Sequence, residues 1–156
     1  EDFIAPIPPD ERDDFMAAYY RRLTGDDEAE RLKAAKAWSL WEGSTVSLAP
    51  SPERISSFSS DAFATAFARI ECHYFVNGGF FDRDDQILAN IDRIRTIPAV
   101  IVQGRYDVVT PMQTAWRMHR IWPEAEFVIV GDAGHAASEP GIIDALIRAT
   151  DRFARS

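Results

Sequence analysis

Two residues in this chain, Asp107 and His135, have the types and the placement to do chemistry together. Asp107 follows Ile97-Pro98-Ala99-Val100-Ile101-Val102-Gln103-Gly104, and His135 closes Gly131-Asp132-Ala133-Gly134-His135 after Glu126-Phe127-Val128-Ile129-Val130. The first, a short apolar run led by proline and stopped by glycine, has the pattern of a buried parallel strand, and the second also reads as a strand. Both side chains then fall in loops at strand C-terminal ends, where α/β sheets place their chemistry. A carboxylate that holds one imidazole nitrogen leaves the other free to take a proton from a nucleophile. Carboxylate then histidine, 28 residues apart, is the order of the last two members of a nucleophile–acid–base triad. Either residue alone reads as a turn aspartate or a solvent-facing histidine. At the ends of successive strands, with Gly134 letting the loop turn sharply, the pair reads as catalytic.

The nucleophile is the missing member. No Gly-x-Ser-x-Gly occurs, and the serines cluster between Ser44 and Ser60, a stretch without a strand-turn-helix pattern. Cys72 is chemically competent beside a histidine. It lies inside a predicted helix near Phe67 and Tyr74, where a small buried cysteine is the expected reading. His73 neighbours Glu71, but adjacent helix residues point to different faces and no third ligand is evident, so no metal site is expected. His119, late in a helix, reads as a surface residue favoured by the helix dipole.

The elements that must position these residues divide near residue 96. Residues 1–9 are extended and proline-rich. Asp10 is a candidate N-cap for a first helix ending at Gly25. A second helix runs from Asp26 or Asp27 to Trp41 or Glu42 and is stopped by Gly43. Ser44 to Ser60 reads as loop. A third helix, capped at Ser60 or Asp61, runs through Tyr74, and a brief helix spans Gln86 to Ile94. Trp38, Trp41, Phe63, Phe67, Tyr74, Phe80 and Phe81 are expected to be mostly core, with a few lining an apolar pocket. Beyond residue 96 the order is strand, helix opened by Pro111, strand, and a last helix from Pro140 to about Phe153. Two β/α units alone leave a sheet edge open and both faces half bare, so further strands are expected to complete the sheet.

The 156 residues, 46% of them hydrophobic, suffice for a good core. A net charge of −8 argues against nucleic acid or an anionic membrane surface as the main partner. One cysteine excludes an intrachain disulfide and gives no hint of an oxidising compartment, so a cytoplasmic location is expected. No apolar run approaches the roughly 20 residues of a membrane span. Glu1-Asp2-Phe3 has the look of the interior of a longer chain.

Gly104-Arg105-Tyr106-Asp107-Val108-Val109, Pro111-Met112-Gln113, Ala115-Trp116, Trp122-Pro123-Glu124-Ala125 and Gly134-His135 together resemble the C-terminal region of proline iminopeptidases. These are α/β-hydrolase prolyl aminopeptidases. Ala37-Trp38-Ser39-Leu40-Trp41-Glu42-Gly43 and Arg69-Ile70-Glu71-Cys72-His73-Tyr74-Phe75 are similar to two segments of that family's helical cap. The likeness runs from about Pro6 to Phe153 and lacks the family's N-terminal half, with its glycine-rich oxyanion loop and serine elbow.

The resemblance implies an α/β fold: a mostly helical cap over 1–95, then the last two strand–helix units of an α/β-hydrolase over 96–156. It implies that Asp107 and His135 are the triad acid and base, and that Glu42 and Glu71 hold the charged imino group of an N-terminal proline. Charge-assisted hydrogen bonds suit that task, and a blocked N-terminus would leave the carboxylates unpaired. Glu42 and Glu71 taken alone read as solvated helix residues. Two departures stand out: Cys72 where the family often has asparagine, and Thr110 where many members have cysteine, which would reduce thiol-reagent sensitivity. The expected partners are a peptide with an N-terminal proline and the absent half of the hydrolase, with no metal, cofactor, nucleic acid or membrane. Alone, the chain is expected to be inactive. An esterase with a different cap specificity, and a non-catalytic fragment that binds a partner, remain as rival readings.

Overall fold

The computed structural model describes residues 3–155; Glu1 and Asp2, the start of the expected extended lead, lie outside the described residues. The chain forms two compact units, one of residues up to 44 with 51–84, the other of 45–50 with 85–156.

The first unit is helical: α1 (Phe15–Thr24), α2 (Glu28–Thr45), α3 (Pro52–Phe58) and α4 (Asp61–Val76). Asp14, rather than Asp10, caps α1, accepting from the Ala17 amide at 2.9 Å. Asp10 lies in a single 3-10 turn, Pro9–Glu11, started by the fixed φ of Pro9. Glu11 is drawn back to Arg21 and Arg22, at 2.5 and 2.7 Å, so the lead-in folds along α1 instead of extending it.

Gly43 does not stop α2. It is buried inside the helix, and a Cβ there would meet the Phe58 ring at 2.9 Å, so its role is to admit that ring. The stretch expected as loop contains α3, because Ser51-Pro52-Glu53 supplies an N-cap, a first-turn proline and a first-turn acid. The core gathers Tyr19 and Leu23 of α1, Ala35 and Trp38 of α2, and Ala68 and Cys72 of α4. Alanines let the helices close around the Trp38 indole. The expectation that the seven aromatics are mostly core is corrected: Trp38 is buried, but Trp41, Phe63, Tyr74, Phe80 and Phe81 are exposed, and Phe67 is half-buried against the core. Two of the exposed rings, Tyr74 and Phe80, meet each other edge-on at 5.4 Å.

In the second unit the single helix expected over 86–94 is split into α5 (Gln86–Ala89) and a 3-10 turn, Ile91–Arg93. Ile91 is buried against Trp122 and Ala125. Arg95 grips Glu124 with bonds of 2.9 and 2.7 Å. These contacts bind residues 85–95 to the strand–helix segment, and the compact units change at Asp84/Asp85.

The sheet pairs β1 (Val100–Gly104) with β2 (Glu126–Val130) in parallel, Val100 opposite Glu126 and Gly104 opposite Val130. The crossover helix α6 (Met112–Ile121) joins them. The last helix, α7 (Pro140–Phe153), packs on the sheet through Ile142, Val130 and Ala133. The strand–helix order past residue 96 is as expected, with β1 starting at Val100 because Pro98 cannot donate to a ladder.

Candidate active site

Parallel pairing brings the two strand ends, and so the two loops, side by side. Arg105 N donates to Val130 O at 2.9 Å and Tyr106 N to Ala133 O at 3.0 Å, which continues the strand contact into the loops. Asp107 and His135 meet there: the His135 Nδ1 lies 3.0 Å from Asp107 Oδ2. The aspartate side chain is only 5% exposed, the imidazole 37%. A ring held at Nδ1 by a buried carboxylate presents its outer nitrogen, Nε2, as the base.

Asp107 is itself held from three sides. Oδ1 accepts from the Val109 and Thr110 amides at 3.0 and 2.8 Å. Oδ2 accepts from the Thr110 hydroxyl at 2.9 Å and from Gln103 Nε2 at 3.2 Å. Burial pushes the Asp107 carboxyl up, but the Thr110 amide, the His135 ring and the Thr110 hydroxyl outweigh it and hold the group below the ordinary carboxylate range. The Thr110 Oγ1 also lies 3.2 Å from His135 Nδ1, so the hydroxyl donates to the aspartate and can accept from the ring.

The His135 loop is tied down from its other side by residues 46–48. The His135 and Ala136 amides both donate to Val46 O, at 2.9 and 2.7 Å. Glu139 Oε1 accepts from the Gly134 amide at 2.7 Å. Neither Gln103 nor Glu139 stood out in the sequence. A glutamine closing an apolar strand was the one signal for the first, and Glu139 before Pro140 reads as an ordinary helix start.

The helical unit holds the two glutamates. Glu71 of α4 is half-buried, and its Oε2 accepts from the Trp38 indole N–H at 2.6 Å. Glu42, also half-buried, follows Trp38 by one turn on the same face of α2.

Cys72 is fully buried, and burial with the nearby Glu71 charge pushes its thiol up to about 11, the state of an inert structural cysteine. Ser47 packs beside Gly134, but its Oγ is buried with no hydrogen-bond partner among the described residues, so no base is placed to activate it. His73 is exposed and sits against Asn77 and Phe80. His119 is not a surface residue: it is half-buried, stacked on Phe127 at 5.2 Å, with Nδ1 3.1 Å from the Ala125 carbonyl. No group of three or more His, Cys, Asp or Glu side chains that could hold a metal occurs among the described residues. Nor is any described helix long and apolar enough to cross a membrane.

Residues 1–141 match the family described as alpha/beta hydrolase fold. The chain is 61% identical over 153 residues to a probable proline iminopeptidase of Leptolyngbya boryana, covering 98% of this chain and 48% of that protein. It is 58% identical to a proline iminopeptidase of Xylella fastidiosa, covering 97% of this chain and 48% of the relative. Against the proline iminopeptidase of Arabidopsis thaliana the identity is 50%, over 98% of this chain and 40% of the relative. The chain thus spans about half the length, or less, of these curated relatives.

Proposed function

The chain belongs to the alpha/beta hydrolase fold family, and from that premise we propose that it carries the acid, the base and the cap of a serine peptidase that releases N-terminal proline from peptides. The observation that carries this reading is the 3.0 Å contact of His135 with a buried Asp107 at the ends of two parallel strands. Homology to proteins named proline iminopeptidase supports the substrate class.

In this reading the nucleophilic serine and the oxyanion hole come from outside these 156 residues, on the N-terminal half of the hydrolase. His135 Nε2 takes the serine proton as the serine attacks the carbonyl of the proline, then returns it to the leaving amine. Asp107 fixes the tautomer and stabilises the imidazolium that forms. Glu42 and Glu71, in the helical unit, dock the cationic imino group, with the Trp38 N–H fixing the rotamer of Glu71. An acid and a base with nothing to activate do no chemistry, so the chain alone is inactive. No metal or organic cofactor enters the reaction. A cytoplasmic location belongs to the same reading and rests on the lone, reduced Cys72.

The test is release of a chromogenic proline amide by the chain alone and by the chain assembled with a polypeptide carrying a Gly-x-Ser-x-Gly elbow. Turnover by the assembly, lost in His135→Ala and absent from the chain alone, is the expected result. Hydrolysis of neutral esters without proline amides would replace the peptidase by an esterase. Turnover by the chain alone would place the nucleophile within it.

A further inference from the structure

Resting on the acid–base reading of Asp107 and His135, we propose that Glu139 is the positioning residue of the histidine: its buried carboxylate clamps the His135 loop onto residues 46–48 and so holds the imidazole against Asp107.

Glu139 is 8% exposed, in a region where an ionised side chain needs fixed donors. It has two. Oε1 accepts from the Gly134 amide at 2.7 Å, and Oε2 accepts from the Leu48 amide at 3.3 Å. One carboxylate therefore joins the residue before His135 to a segment 91 positions away from Glu139 in the chain. The Val46 carbonyl completes the clamp by taking the His135 and Ala136 amides. The loop is closed on itself as well, since Glu139 N donates to Ala136 O at 3.0 Å.

Glu139 gives up a local role to do this. It occupies the N-cap position of α7, where a short acceptor ordinarily takes a first-turn amide, yet its side chain makes no capping bond. Pro140 follows and has no N–H to offer. Gly134 fits the clamp tightly: a Cβ there would sit 2.9 Å from Leu48 N and 3.2 Å from Glu139 Oε1. With the amides on both sides of His135 fixed, the backbone has little freedom to lengthen the contact with Asp107. Misplacement by about 1 Å costs on the order of a hundredfold in rate.

The experiment is NMR on the 156-residue chain, following amide exchange at Leu48, Gly134 and His135 and the downfield Nδ1–H resonance of His135, in wild type, Glu139→Ala, Glu139→Gln and Asp107→Asn. Asp107→Asn identifies the resonance by abolishing it. Glu139→Ala is expected to speed exchange at Gly134 and Leu48 by about tenfold or more, the loss of a hydrogen bond to a charge, and to erase the Nδ1–H signal. Glu139→Gln keeps the shorter bond to Gly134 and turns an N–H toward Leu48. It is expected to retain the Nδ1–H signal and accelerate exchange at Leu48 alone, which also covers the case where the alanine variant fails to fold. Unchanged exchange at Gly134 in the alanine variant would overturn the clamp. Faster exchange with the Nδ1–H signal intact would leave a structural glutamate and overturn the positioning role. A wild type that protects Gly134 but lacks the Nδ1–H signal would instead sink the Asp107–His135 reading, and the positioning role with it.

Discussion

A Cβ added to Gly104 would lie 1.9 Å from the carbonyl oxygen of Gly134 and 2.8 Å from that of Ala133. The end of β1 and the loop before His135 thus touch backbone to backbone, three residues before Asp107 and one before His135. That approach is what lets a 3.0 Å contact form between side chains from two strands.

Gly104→Ala should therefore damage the pair as well as the fold. Backbone atoms cannot rotate away, so the overpacking cost is about 3 kcal/mol or more. Nothing lies within 4 Å of a Cβ at Gly131, so Gly131→Ala should stay within about 0.5 kcal/mol of wild type. Urea midpoints compare the two. The His135 Nδ1–H resonance should vanish in the first and persist in the second.

Thr110→Val should change how stability depends on acid. The folded-state pKa of Asp107 is depressed, so its contribution is present above the unfolded value, about 3.9, and is lost as pH falls through the folded one. The valine removes the hydroxyl donor to Oδ2 and leaves the amide donors in place, which raises the folded pKa toward the unfolded one. The two proteins should differ most above about pH 4 and converge as the solution becomes more acidic. Glu11, pulled down to about 2 by Arg22 and Arg21, adds to the acid limb of both, so the difference between the curves isolates Asp107. Unfolding free energies measured from pH 6 downward give the answer; a constant difference across that range would refute the coupling.

Much of this arrangement was legible in the chain itself. A proline-led, glycine-ended apolar run marked the first strand and Glu126–Val130 before Gly131 the second, and their loops marked Asp107 and His135. What stayed hidden depends on contacts distant in sequence. Gly43 looks like a helix stop until the Phe58 ring is seen to fill its missing side chain. Ser51-Pro52-Glu53 starts a helix, but its proline-rich surroundings favoured loop. Glu139 stands just before Pro140 at the start of α7 with nothing local to mark it out, and its side-chain partners are Gly134 and Leu48. His119 sits in a last helical turn, where the dipole argument is sound, yet Phe127 of the next strand covers it.

Glu71→Gln tests the amine-docking role. The Trp38 N–H at 2.6 Å needs only an acceptor, which glutamine retains, so the helical unit should stay folded with little change in melting temperature. Losing one charge-assisted bond to a cationic imino group costs about 1.5–3 kcal/mol, or roughly 10–100-fold. In the assembled enzyme that loss should appear in KM for proline amides, with hydrolysis of uncharged esters unaffected. Equal loss on both substrates would remove Glu71 from recognition.

The two positions where the chain departs from the family it resembles should respond oppositely to thiol reagents. Cys72 is fully buried with its thiol pushed up to about 11, so at pH 8 it stays a protonated, inaccessible thiol. The native chain should fail to react with Ellman's reagent over hours and should yield one equivalent in denaturant. Thr110 is exposed, and its Oγ1 lies 3.2 Å from His135 Nδ1. Thr110→Cys should therefore add one reactive equivalent to the native chain, because this position is exposed where Cys72 is buried. In the assembled enzyme, alkylation there should abolish proline-amide turnover by forcing His135 off Asp107, while wild type is spared. Fast reaction of the wild-type chain would mean that Cys72 opens to solvent and that the α1–α2–α4 core is looser than its packing implies.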